Sequence, residues 1–230
     1  MQPLKEVITN FEHRGHRVLL MTLLLLIVVS PFVQHYRGVR WLLAVFVTLV
    51  LLAAIRTVAN QARQYHIALM LGVLAMVSQF AAMIMHPGWL ESVRYISMMS
   101  FLFWVCGLLL RDIIVRSQNV TLELIFGAIN IYLMVGLAFA FMFGLIEHLQ
   151  PGSFTGLAEQ MNAPDSILNF IYFSFITLTT LGYGDITPLS PYATTASYSE
   201  AIFGQLYLAI LVARLVGLYI ARRGEPGQNN

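Results

Sequence analysis

Six long apolar runs alternate with short polar connections along the chain: Val18–Val33, Val39–Ile55, Ile67–Met85, Val93–Leu110, Leu122–Ile146 and Tyr198–Ile220. A helix that crosses a bilayer needs about 20 mostly apolar residues, so each run reads as a membrane span. Between the last two runs the pattern changes. A polar loop leads into a shorter apolar stretch, Ile167–Thr180, followed at once by Leu181-Gly182-Tyr183-Gly184-Asp185. That stretch is too short to cross and is flanked by polar turns, which predicts a re-entrant half-helix. Irregular backbone at membrane depth is tolerated only where it is buried in protein or lines a water-filled path. The first run follows Arg14 and Arg17 and has the length of a signal-peptide core. The bulky sequence Val29-Ser30-Pro31-Phe32 offers no small-residue cleavage pattern, so the run is expected to be retained.

Composition points the same way. The chain is 58% hydrophobic and 10% charged, less than half the charge fraction of an average soluble domain, so most of it belongs in lipid. The net charge is +2 and the basic residues are scattered singly, which leaves no basic face for nucleic acid. Cys106 is the only cysteine; it sits in an apolar run and reads as a packing residue. With the N-terminus in the cytoplasm, Lys5, Arg14, Arg17, Arg56, Arg63, Arg111, Arg116, Arg222 and Arg223 fall on the inner side. Only Arg37, Arg40 and Arg94 fall outside. The positive-inside bias therefore predicts a multi-pass protein of the cell (plasma or inner) membrane with both termini cytoplasmic. The loop bearing Glu147, Glu159, Asp165 and Asp185 has no Lys or Arg and then opens outward.

The segment Thr179-Thr180-Leu181-Gly182-Tyr183-Gly184-Asp185, between a short apolar helix and a long one, resembles the selectivity filter of the potassium channel family. The resemblance covers about Val120–Arg223. Its chemistry is legible in the residue types. A dry potassium ion needs oxygens in place of its hydration shell, and rings of backbone carbonyls supply them. Aiming successive carbonyls at one axis calls for positive φ at alternate positions, which glycine reaches freely; Gly182 and Gly184 are two apart. Thr180, Leu181, Gly182 and Tyr183 would hold K+ through carbonyls, Thr180 adding its hydroxyl. Leu181 and Tyr183 would pack behind the filter, with Asp185 at the outer mouth. Pro164 and Asp165 suit the first turn of the half-helix. Tyr172 and Phe173 stand where the family often has an aromatic cuff. Ile176 departs from the family, where some bacterial members carry a glutamate. One chain holds one such loop, so a homotetramer is implied, with membrane lipids around it, room for an accessory subunit and no organic cofactor.

Beyond the filter, Glu200 to Gly217 resembles the inner helix of bacterial potassium channels. Gly204 falls at the usual hinge position, and close packing is an equal explanation for a membrane-helix glycine. Gln205, Leu208, Val212 and Val216 share one face, the expected cavity lining and gate. Arg214 lies on the opposite side, where it either pairs with Glu123 or snorkels to the headgroups. The fourth span lacks the arginine repeat of a voltage sensor: Tyr95–Leu110 is uncharged, and no acidic residue lies between Glu12 and Glu91.

The expected organisation is an all-α membrane protein with six transmembrane helices, a re-entrant pore helix and a filter, forming a tetrameric potassium-channel pore. Residues 1–17 form a cytoplasmic segment, 18–118 a four-helix scaffold, 119–223 the pore domain and 224–230 a tail. The implied function is passive K+ conduction without conventional voltage gating. Two alternatives are a nonconducting or modulatory subunit, and a potassium transporter subunit; transporters usually carry four degenerate loops in one chain. No grouping of residues suggests an enzyme.

Overall fold

The computed structural model describes residues 15–29, 40–58, 62–85, 87–116, 121–157 and 167–223. The segment before residue 15, Glu159, Pro164, Asp165 and the tail 224–230 lie outside the described residues. Among the described residues seven helices run in order: α1 (Gly15–Val29), α2 (Arg40–Val58), α3 (Ala62–Met85), α4 (Gly88–Arg116), α5 (Leu122–Leu149), α6 (Ile167–Leu178) and α7 (Pro191–Arg223). Two short strands, β1 (Phe154–Thr155) and β2 (Thr187–Pro188), pair antiparallel with Phe154 opposite Pro188. This pairing joins the loop after α5 to the segment after the filter.

Among the described residues, four helices are long and apolar enough to cross a membrane: Gln64–Met85, Gly88–Ile114, Leu122–Leu149 and Pro191–Arg214. The apolar stretches Gly15–Val29 and Ala44–Thr57 are shorter; at 1.5 Å per residue the first spans about 22 Å of a core about 30 Å thick. The end of the first expected span, residues 30–33, lies outside the described residues.

Helices α2, α3, α4 and α5 pack in succession, and α5 in turn lies against α6 and α7. Helix α5 is capped by Thr121, whose Oγ1 accepts from Leu124 N at 3.2 Å, with Glu123 in the first turn; the cap satisfies an otherwise unpaired amide, and the acid places negative charge at the positive end of the helix dipole. The core around the half-helix is aromatic. Phe143 of α5 is fully buried and meets Phe173 of α6 edge-on at 5.0 Å and Phe154 of β1 at 5.6 Å. Phe154 also meets Phe170 at 5.2 Å. Edge-to-face rings at these spacings fix both distance and angle, so α6 is held rigidly on α5.

Candidate ion-conduction site

Helix α6 ends at Leu178, two residues before the expected end at Thr180, because Thr180 turns left-handed. Thr180, Gly182 and Gly184 have φ of 57°, 52° and 78°. Every second residue of the motif therefore adopts the conformation that reverses its carbonyl relative to an ordinary strand. The glycines do so freely, whereas a β-branched threonine is strained by about 1–3 kcal/mol and must be held. The holding contacts are visible. Thr180 N donates to Thr177 O at 2.9 Å, and Leu181 N and Gly182 N both donate to Ile176 O at 2.9 and 3.1 Å. Two consecutive amides on one carbonyl clamp the start of the motif onto the end of α6.

Asp185 sits at the far end. Its Oδ2 accepts from the Tyr172 hydroxyl at 2.7 Å and its Oδ1 from Ile186 N at 3.0 Å. At the near end, Gln205 Nε2 of α7 donates to Thr180 Oγ1 at 3.1 Å. Leu181 and Tyr183 are 55% and 68% exposed in the single chain.

Gly204 touches the base of the half-helix. A Cβ there would stand 2.2 Å from Leu178 O, so the glycine lets α7 lie directly on α6. The same carbonyl accepts from the Tyr132 hydroxyl of α5 at 3.2 Å. Leu208, Val212 and Val216 follow along α7 and are exposed in the single chain. Arg214 turns the other way and donates to the carbonyls of Ile113 and Ile114 in the last turn of α4. Glu123 Oε1 accepts from Arg17 Nη2 of α1 at 3.2 Å. Both members of the expected Glu123–Arg214 pair thus have other partners of their own.

Several residues that shape the site escaped the sequence reading. Gly156 has φ of 83°, and a Cβ on it would meet Asp185 O at 1.8 Å; only glycine lets the loop approach this end of the motif. Glu147, counted above only as a loop charge, accepts from Gly152 N at 2.8 Å and Phe154 N at 3.1 Å. Ser174 and Glu200 meet behind the filter. The Ser-Phe-Thr-Gly turn and a lone acid in an apolar helix were the available signals.

A half-helix and the left-handed segment that follows it thus lie between α5 and α7. Residues 125–220 match the family model for ion channels, and the chain is similar in part to known potassium channels. It is 33% identical over 103 residues to the inward rectifier potassium channel Kirbac3.1 of Paramagnetospirillum magnetotacticum, covering 43% of this chain and 30% of that one. It is 38% identical over 66 residues to the two pore potassium channel c of Oryza sativa subsp. japonica, covering 29% and 14%. The potassium channel K1 of Plasmodium berghei is 44% identical over 45 residues, covering 17% and 2%. The chain therefore spans less than a third of the length of each of these relatives. No solved structure matches it significantly.

Proposed function

We propose that four copies of this chain surround an axis and conduct K+ passively through stacked rings of backbone oxygen from Thr180 to Tyr183, with the Thr180 hydroxyl as the innermost ligand. The observation that carries this reading is the alternation of left-handed backbone at Thr180, Gly182 and Gly184, on the motif where carbonyls must face one way. The exposed Leu181 and Tyr183 side chains support assembly, since a neighbouring subunit would cover them. In this reading α1 and α2 complete six spans and both termini are cytoplasmic. Residues 18–118 serve as a scaffold without gating charges. Thr179 and Asp185 frame the two ends of the filter, and Gln205, Leu208, Val212 and Val216 line the cavity and its aliphatic gate. Gly204 acts as a pivot as well as a contact, and Glu123 and Arg214 brace the cytoplasmic end of the inner helix.

The test is K+ flux into liposomes that contain only the purified chain. Selective uptake of K+ over Na+, lost in Gly182→Ala while the protein still assembles, is the expected result. Absence of flux from the intact protein would favour a modulatory subunit instead.

A further inference from the structure

Three helices meet at one hydroxyl behind the filter. Ser174 of α6 is fully buried, as is Glu200 of α7. Ser174 Oγ lies 2.6 Å from the carbonyl oxygen of Gly136 on α5 and 2.5 Å from Glu200 Oε1. Glu200 Oε2 has no hydrogen-bond partner among the described residues.

A serine hydroxyl carries a single hydrogen. The Gly136 carbonyl can only accept, so the contact with it uses that hydrogen. The equally short contact with Glu200 then needs a hydrogen of its own, and only the carboxyl group can provide one. The surroundings agree. Helix α6 carries no Asp, Glu, Lys, Arg or His, and α5 carries such residues only at Glu123, Glu147 and His148, near its two ends. The nearby titratable group from α5 is the Tyr132 hydroxyl, which is spoken for by Leu178 O. An ionised carboxylate in this place would find no cation on the facing stretches of α5 and α6 and would leave one oxygen without a partner among the described residues, whereas a neutral acid leaves only a carbonyl so.

We infer that Glu200 is a neutral carboxylic acid that donates to Ser174 Oγ, completing a relay from Glu200 through Ser174 to Gly136 that ties α7 to α6 and α5. Glu200 is a positioning residue. It lies one turn before Gly204, where α7 touches the carbonyl of Leu178, so the relay sets the inner helix against the base of the filter. It acts on conduction only through that placement.

The functional half of this inference rests on the potassium-pore reading; the protonation half does not. Infrared difference spectra of the full chain in liposomes, in light against heavy water, test the proton directly. A protonated carboxylic C=O band is expected in the wild type at neutral pH and is expected to be missing from Glu200→Gln. In K+ flux, the Gln amide can replace the donated hydrogen, so Glu200→Gln should stay within about twofold of the wild type. Glu200→Ala and Ser174→Ala should each lose about tenfold, as for a buried bond left half-made. An infrared spectrum without that band would overturn the inference. So would a conducting wild type whose Glu200→Gln variant is as impaired as Glu200→Ala. A wild type that fails to conduct counts against the pore reading, and the infrared band then decides on Glu200 alone.

Discussion

Left-handed backbone at Thr180 costs energy that the glycines beside it avoid, and the contacts around it explain why it persists. Its hydroxyl faces Gln205 while its amide is tied to Thr177. Shortening Gln205 to Ala should loosen this end of the filter, reducing K+ flux without unfolding the protein; unchanged flux and selectivity would show the bond to be idle. Gly156 makes a sharper case. Its positive φ and the 1.8 Å approach of Asp185 O to a would-be Cβ mean that Gly156→Ala forces the loop off the filter exit. The backbone strain alone is worth roughly 1–3 kcal/mol. Thermal unfolding in detergent should record a clear loss of stability, and a melting temperature equal to the wild type would rule the contact out as a constraint.

Among the elements, helix ends carry the information that apolar windows blur. Helix α7 begins at Pro191, seven residues before the apolar run at Tyr198, because Thr194, Thr195 and Ser197 dilute its hydropathy. Ser190 caps it, its Oγ accepting from Ala193 N at 3.2 Å, and proline suits the first helical position. Ser190 followed by Pro191 was thus a readable start signal. Ser190→Ala should cost about 1 kcal/mol, measurable as a lower unfolding midpoint; no shift would mean that the cap is replaced by another partner. The half-helix and the positive φ of Gly182 and Gly184 were legible because both are local in sequence. The β1–β2 pairing was not, since two residues per strand cannot display an alternation. Nor was the meeting of Gly136, Ser174 and Glu200, which joins three separate elements. Arg214 belongs here too. It binds the last turn of α4, where carbonyls lack helical partners, and so links α7 to α4. Arg214→Gln should weaken that link and change open probability in single-channel records; identical gating would deny the scaffold any hold on the inner helix.

At the scale of the molecule, most of α7 and both large filter side chains stand uncovered in one chain. A ring of copies would bury them, and one loop per chain cannot enclose an ion. In the proposed pore, backbone oxygens of this ring replace the water around K+. Recording the purified protein in a planar bilayer, with equal K+ and Na+ on opposite sides, tests it most directly. A K+-selective pore gives a reversal potential far from zero in the direction set by K+; reversal at zero, with Na+ passing as readily, would rule such a pore out.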